Sequence, residues 1–311
     1  MRQRLRQALC RDGYLFPTAV AGLYGRDGRF ESLVDAVGSA VSAMAAEVGA
    51  AVVRYPPAVA ADELHRVGYL RSFPHLAGTI SVCADTTGRE TAVAARLHRD
   101  GAWEELLRPS ELAPCPAACY PVYPHLAGRD VGGGEWYDTM GYCFRREPSD
   151  DPFRMQLFRM HEIVCVGDRA TVDRFLARAH DFAGRLFTGF GLTVTRAVAT
   201  DPFFGSGGRM LAREQLERDL KQEYVCPTDD GGVALASVND HETHFTRPYG
   251  VTGGDGQPAV SACVGFGLER VVLAAFLQHG PSPRGWPEIT RRAFGAGRPD
   301  RAADDGAAAD R

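Results

Sequence analysis

One stretch of the sequence decides the fold: FRREPSDDPFRMQLFRMHEIV, from Phe144 to Val164. It predicts two strands joined by a polar loop, because Pro148 to Pro152 supplies turn residues and the following residues alternate toward a β-branched end. Strand side chains repeat every second residue, so such a hairpin holds Arg145 and Glu147 on one face. These two groups can bind a phosphate and an exocyclic amine of a nucleotide. A solvated ion-pair hairpin is the alternative, and the hairpin alone favours it.

Length and composition describe an ordinary globular chain. The 311 residues give room for one large domain or two small ones, and the composition is 45% hydrophobic and 24% charged. A net charge of −4 disfavours a protein whose main task is binding nucleic acid. No apolar run has the length of a membrane helix, and the N-terminus MRQRLRQALC lacks the apolar core of a signal peptide. We therefore expect a cytoplasmic protein without a membrane partner.

The cysteine and lysine content restricts the kinds of binding site that the chain can form. Eight cysteines without a secretory signal indicate free thiols or metal ligands rather than a disulfide framework. Lys221 is the only lysine among 35 basic residues, and no GxxxxGK[ST] motif surrounds it. This excludes a P-loop, so any bound phosphate has to be held by arginines.

The order of elements favours an α+β domain built on an antiparallel sheet, because the strands are separated by long loops and surface helices without regular βαβ alternation. The sequence after Ser261 predicts a strand, a glycine turn and a helix to Gln278; its GxG lacks the third glycine of a Rossmann motif. One domain is expected over residues 1–295, with a disordered tail over 296–311. Further predictions are a helix from Phe30 to Val48, a short strand from Val52 to Pro57, a helix from Arg169 to Phe187, strands from Leu192 to Val198 and Val233 to Asn239, an extended run from Tyr120 to Pro124, and a loop from Asp201 to Arg209.

Two further features fit with the hairpin. Gly265-Phe-Gly267-Leu-Glu-Arg270 places an arginine one turn into a helix, from which it can reach a phosphate or stack on a base, although most GxG sequences are simple turns. Cys119, Glu162 and Cys263 form a plausible zinc shell with one position left open. Inert core thiols are the alternative for the cysteines, whereas a carboxylate that interrupts an apolar strand needs a partner.

The combination resembles a known family. FRRE at 144–147, the returning strand LFRMHEIV and the late GFGLER look like motifs 2 and 3 of class II aminoacyl-tRNA synthetases, and Val53-Arg-Tyr-Pro-Pro57 after a long helix looks like motif 1. The Cys, Glu, Cys set resembles the zinc site of methanogen-type seryl-tRNA synthetases. More closely, the chain resembles their truncated bacterial relatives, the amino acid:[carrier protein] ligases, in CYPVYPHLAG, DPFFG, GRML, NDHETHF and CVGFGLERVVLAAF.

The resemblance implies a catalytic site for ATP. By analogy Arg145 holds the α-phosphate, Glu147 the adenine amine, and Arg270 the γ-phosphate and the base face. The remaining implied contacts border the nucleotide, with Arg154 and Met155 beside the adenine, Lys221 near the nucleotide, and Ala234, Leu235, Ala236 and Ser237 beneath the phosphates.

The resemblance also implies the partners. Zinc on Cys119, Glu162 and Cys263 would accept the amino group of a small amino acid, glycine or alanine, with serine possible. The expected reaction forms an aminoacyl-adenylate with ATP and Mg²⁺, then transfers the amino acid to the phosphopantetheine thiol of a carrier protein, in a homodimer. No segment large enough to bind a tRNA remains beside the motifs, so tRNA charging is the disfavoured alternative.

One departure from the family pattern concerns Mg²⁺. Ala234 stands where seryl enzymes usually carry a Mg²⁺-binding glutamate, which leaves the metal to Glu223, Asp240, Glu242 or the phosphates themselves. For this reason a non-catalytic, regulatory synthetase paralogue stays open as a second alternative.

Overall fold

The computed structural model describes residues 1–83, 87–88, 90–100, 103–229 and 231–295. The predicted tail, 296–311, lies outside this part of the chain. The helices are α1 Arg2–Arg11, α2 Gly28–Ala46, α3 Ala61–Arg66, α4 Tyr69–Ser72, α5 Glu90–Asp100, α6 Val122–His125, α7 Arg169–Gly189, α8 Gly205–Glu217, α9 Leu268–His279 and α10 Glu288–Ala293. The strands are β1 Leu15–Pro17, β2 Tyr24–Arg26, β3 Ala51–Val53, β4 Ala58–Ala60, β5 Ser81–Cys83, β6 Leu107–Pro109, β7 Leu112–Pro114, β8 Glu135–Phe144, β9 Leu157–Gly167, β10 Thr195–Val198, β11 Lys221–Cys226, β12 Val233–Glu242 and β13 Val260–Gly267.

A seven-stranded sheet forms the centre, in the order β10-β11-β12-β13-β9-β8-β3. Every neighbouring pair is antiparallel except β3 and β8, which run parallel at one edge. The predicted hairpin is β8 and β9, with Phe144 opposite Leu157. The predicted antiparallel α+β architecture is therefore confirmed, with one parallel edge strand.

The two faces of this sheet contact different parts of the fold. On β9, Ile163 and Cys165 pack into the main hydrophobic core with helices α2, α7 and α9, whereas Glu162 and Val164 point to the opposite face. Because side chains alternate along a strand, the apolar helical face and the functional face come from successive residues. The face opposite the long helices carries a second, smaller core and the main cavity.

The strands predicted from Val52 to Pro57 and from Leu192 to Val198 are shorter, as β3 and β10, and three other predictions differ from the structure. Strand β8 ends at Phe144, so Arg145 and Glu147 lie just beyond the ladder rather than within it. Helix α8 begins inside the predicted loop, because the helix-forming sequence MLAREQLE extends the helix back to Gly205. The run from Tyr120 to Pro124 is not extended throughout: it enters the short helix α6, since proline is accepted in the first turn of a helix.

A buried polar cluster links the hairpin to the segment that follows α2. Asp138 on β8 accepts hydrogen bonds from His161 at 2.7 Å and Ser42 at 2.7 Å, and Arg54 donates to its backbone oxygen at 2.7 Å. Burial alone would raise the pKa of Asp138, but the hydrogen bonds from His161 and Ser42 outweigh it and lower the pKa to about 2. This carboxylate is therefore ionised in the folded protein at neutral pH.

Replacement of Asp138 by Asn should lower the free energy of unfolding by about 2 kcal/mol at pH 7, because the folded pKa lies about two units below the unfolded value. This contribution is present above the unfolded pKa and is lost as pH falls through the folded pKa. Urea unfolding of both proteins from pH 6 down to pH 2 checks the sign. The difference should shrink in acid, and a difference that is constant with pH would contradict the assignment.

Among the described helices, none combines the length and apolarity that crossing a membrane requires.

Candidate active site

A cavity of about 430 Å³ opens on the functional face of the sheet. Its floor comes from alternate residues of four adjacent strands, including Glu162 on β9, Cys263 on β13, and Ser237 and Asn239 on β12. Cys263 lies opposite Asn239 in the ladder, and Gly265 lies opposite both Glu162 and Ser237. A Cβ at Gly265 would approach the Glu162 side chain to 3.3 Å, so glycine leaves room for that carboxylate.

The predicted metal set comes together at the bottom of this cavity. The ligand atoms of Cys119, Glu162 and Cys263 all lie within 4.8 Å of one another, and all three residues are buried. Cys119 precedes α6, and its backbone N–H donates to the Glu162 carboxylate at 3.1 Å, which fixes the carboxylate beside the thiols. Two sulfur ligands and one carboxylate, buried together, match a three-ligand Zn²⁺ site that keeps one position for substrate.

The electrostatics of this set favour a bound cation. Burial, followed by the charge of Cys263, raises the pKa of Glu162 to about 8. The hydrogen bond between the two thiols raises the pKa of Cys119 and lowers that of Cys263, which is therefore the preferred thiolate. Three neighbouring acids oppose one another's ionisation, and a divalent cation would remove that conflict.

Two neighbours hold the Cys263 sulfur. Asn239 donates to it at 3.4 Å, and the Nε2 of His241 lies 3.5 Å away. The Nδ1 of His241 lies 3.0 Å from the hydroxyl of Tyr123, which can donate to it and leave the proton on Nε2. Hydrogen bonds of this kind orient metal ligands and reduce the charge on a thiolate.

Arg145 reaches the same cavity from the end of β8. Its guanidinium lies over the ring of Phe158 at 5.6 Å and donates to the backbone oxygen of Pro116 at 3.3 Å. Burial alone would lower the pKa of Arg145, but the nearby Tyr69 and other anionic or polar groups raise it, so the group remains charged. A charged guanidinium at the cavity wall is available to an anionic ligand.

Lys221 also lines the cavity, on β11. Its ammonium group pairs with Asp201 at 2.5 Å and Glu223 at 3.2 Å. Burial would raise the pKa of Asp201, but Lys221 outweighs that effect and lowers it.

A second group of predicted residues lies beside the cavity at the hairpin loop. Arg154 pairs with Glu147 at 3.1 Å. Arg270 donates to the backbone oxygens of Phe153 at 2.9 Å and Ala234 at 3.0 Å. Burial, and then the like charge of Arg145, lower the pKa of Arg270 to about 10. Like charges that oppose each other in this way favour the binding of an anion nearby.

Several residues predicted to contact the nucleotide or Mg²⁺ are buried or already paired with other groups. Met155, Leu235 and Ala236 are buried in hydrophobic packing, so a nucleotide could meet only their backbone. All three carboxylates considered for Mg²⁺ have cationic partners: Asp240 pairs with Arg169, Glu242 with Arg218 and Glu223 with Lys221. The charge of Glu223 also opposes the lowering of the Arg270 pKa.

Sequence reasoning missed several residues of the cavity. Tyr69, Arg71, Tyr120, Asp201 and His241 all line it and were given no role. The segment NDHETHF contains His241, but only its two carboxylates were predicted to have a role. Its placement beside Cys263 follows from the pairing of β12 with β13, which no local pattern specifies.

The sheet, the hairpin and the cavity define a class II synthetase-like catalytic core. The crystal structure of M. kandleri SerRS in complex with A. aeolicus tRNASec aligns with a TM-score of 0.81 over 95% of this chain and 61% of that one, at 19% identity. No family model matches the chain.

Curated relatives identify the family within this class. Amino acid–[acyl-carrier-protein] ligase 2 of Bradyrhizobium diazoefficiens is 37% identical over 286 residues, which cover 91% of this chain and 85% of the relative. Ligase 1 of the same organism is 37% identical over 278 residues, with 88% and 85% coverage. The type-2 serine–tRNA ligase of Methanococcus maripaludis is 25% identical and matches over 54% of its length. The chain belongs to the amino acid–[acyl-carrier-protein] ligases and is a ligase, as the resemblance of its motifs indicated.

Proposed function

We propose that the protein activates a small amino acid with ATP and transfers it to the phosphopantetheine thiol of a carrier protein. The observation that carries this proposal is the joint cavity, in which Arg145 and the set Cys119, Glu162 and Cys263 face a single space. The cavity therefore offers metal ligands for the amino group of the amino acid and the Arg145 guanidinium for a phosphate of ATP.

Zinc is the metal that the donor set fits best. When bound, it supplies an open coordination position that orients the amino group of the substrate. Cys119, Glu162 and Cys263 would hold it, and the backbone N–H of Cys119 would keep the carboxylate in place. The floor residue Asn239 and His241 would hold the Cys263 sulfur. The proposed amino acid is glycine or alanine, with serine possible, as the resemblance of the motifs implies.

ATP is proposed to lie across the sheet from the cavity to the hairpin loop. Arg145 would neutralise the α-phosphate, Glu147 would accept from the adenine amine, and Arg270 would bind the γ-phosphate and the base face. The guanidinium of Arg154 and the Met155 backbone would border the adenine. Strand residues Ala234, Leu235, Ala236 and Ser237 would lie beneath the phosphates, with Lys221 beside them.

The first step is proposed as in-line displacement. A carboxylate oxygen of the amino acid forms a bond to the α-phosphorus, and the bond to pyrophosphate breaks. No general base is required because the carboxylate is already a nucleophile, so the chain contributes position and charge neutralisation. Arg145 would stabilise the charge that develops on the α-phosphate. Among the candidate carboxylates, Glu223 is our choice for Mg²⁺, because it lies opposite Ser237 in the ladder and beside Lys221, next to the strand proposed to lie beneath the phosphates.

The second step is transfer to a thiol. The sulfur of the phosphopantetheine arm would bond to the carbonyl carbon, the bond from that carbon to AMP would break, and the thiol proton would pass to water. Arg71 and Arg218 line the cavity and would attract an acidic carrier. The net charge of −4 supports a carrier in preference to tRNA, and we place the reaction in the cytoplasm.

A homodimer is proposed through the segment around β3. This strand ends the central sheet, so one side of its backbone has no neighbouring strand in the described fold. The Val52 side chain on it is 67% exposed. An apolar edge strand of this kind favours pairing with a second chain.

ATP–pyrophosphate exchange with a panel of amino acids tests the activation step. We expect exchange with glycine or alanine and much weaker exchange with amino acids that carry large side chains, because the cavity floor is closed by the sheet. If no amino acid supports exchange, the activation step is refuted. That result would favour the regulatory paralogue, which is considered because Ala234 replaces a Mg²⁺-binding glutamate.

A further inference from the structure

A second cleft, lined by His65, Arg66, Val67, Gly68, Arg71, His244 and Pro248, adjoins the main cavity. Four of these side chains are basic, and no carboxylate of the described residues lines the cleft. Gly68, Arg71 and His244 line the main cavity as well, so the two spaces share a wall. The mechanism above assigns no role to His65, Arg66 or His244.

Local structure explains why the cations converge. Gly68 separates α3 from α4 and adopts a left-handed conformation with φ +71, which glycine accommodates without strain. This turn brings Arg66, at the end of α3, and Arg71, on α4, to one cleft. A Cβ at Gly68 would meet the Arg71 guanidinium only in van der Waals contact at 3.4 Å, so the positive φ is what favours glycine here.

The charges of the cleft are not fully neutralised within it. Among the residues that the structure describes, Arg66 has one carboxylate partner, Glu63 at 3.6 Å, and its guanidinium lies over the Tyr249 ring at 5.4 Å. Burial, followed by His241 and Arg71, lowers the pKa of His244, so its neutral ring can donate one hydrogen bond at neutral pH. A single compact cluster on a chain of net charge −4 suits one phosphate group rather than a nucleic-acid backbone.

We propose that this cleft binds the phosphodiester through which a phosphopantetheine arm is attached to its carrier protein. The arm would then enter past Gly68 and Arg71, and its thiol would reach the main cavity. The proposal rests on the carrier-protein ligase function proposed above. It assigns Arg66 and Arg71 to the phosphate as charge-assisted donors, with His65 as a further hydrogen-bond partner.

The experiment compares two soluble probes, phosphopantetheine and pantetheine, which differ by the phosphate. Equilibrium binding to the full chain, followed by NMR, should show about tenfold tighter binding of phosphopantetheine, the factor that one charge-assisted hydrogen bond supplies. Arg66→Gln should remove most of this preference and leave pantetheine binding unchanged, and Arg71→Gln provides a second test. Arg178→Gln is the matched control, because Arg178 is 51% exposed and pairs with Glu47 at 3.7 Å, much as the 52% exposed Arg66 pairs with Glu63.

Equal affinity for the two probes in the wild type would overturn the proposal, as would a preference that survives both substitutions. A cleft that binds RNA would instead show weaker tRNA binding in Arg66→Gln with an unchanged phosphopantetheine preference. Thioester formation with ATP and glycine, measured in the same samples, separates the two levels of the account. If phosphopantetheine binds more tightly than pantetheine but no aminoacyl thioester forms, only the transfer function is refuted. If the thioester forms but the two probes bind equally, only the phosphate site is refuted.

Discussion

Replacement of Arg145 by Ala should lower ATP–pyrophosphate exchange by about 10²-fold or more, as removal of a charged transition-state contact does. The guanidinium lies at the wall of the cavity that contains the metal set, where it would meet the α-phosphate. Because the charge on this phosphate grows during displacement, the loss should appear in kcat more than in the KM for ATP.

Arg146→Ala is the matched control for this prediction. Arg146 is the next residue of the same segment, its side chain is exposed, and it does not line the cavity. Exchange in the control should stay close to that of the wild type. An Arg145→Ala enzyme with unchanged exchange would remove this residue from the mechanism.

Replacement of Cys263 by Ala should abolish stable zinc binding and, with it, exchange. The wild type should contain about one Zn²⁺ per chain, because three buried ligands converge within 4.8 Å. The variant retains only Cys119 and Glu162, and two ligands hold zinc far less tightly than three. Elemental analysis after dialysis gives the zinc content independently of activity.

Cys165→Ala controls for the loss of a buried thiol. Cys165 lies on β9 as Glu162 does, but its side chain is buried in the core on the opposite face of the sheet. This variant should keep its zinc. Equal zinc contents in wild type and Cys263→Ala, or no zinc in either, would show that the metal set is misassigned.

The sequence was sufficient for the parts of the fold that depend on local patterns. Asp27 caps α2 by accepting from the backbone N–H of Phe30 at 2.9 Å, and Asp168 caps α7 in the same way through Thr171 at 2.7 Å. Alternation identified β9, and the interruption of its apolar end identified Glu162 as a carboxylate that needs a partner, which the structure places beside two thiols. These features are local in the chain, so they can be recognised before the tertiary structure is known.

Long-range pairing accounts for what the sequence could not supply. Lys221 was expected near the nucleotide, but its ion pair with Asp201 was not predicted. Helix α8 lies between these two residues in the sequence, and its first residues were predicted as a loop. The position of His241 depends on the register between β12 and β13. The basic cleft combines residues from the end of α3 through α4 with His244, which lies far along the chain. No periodicity or spacing in a single sequence specifies such contacts.

The central claim concerns the acceptor, and one measurement tests it most directly: transfer of a labelled amino acid to a holo carrier protein, to its apo form and to bulk tRNA. We expect label on the holo carrier alone, because only that form offers a thiol arm. This transfer should also weaken with salt more than exchange does, since exposed charges are screened beyond about 8 Å at physiological ionic strength. Charging of tRNA, or equal labelling of the apo and holo carriers, would contradict the account.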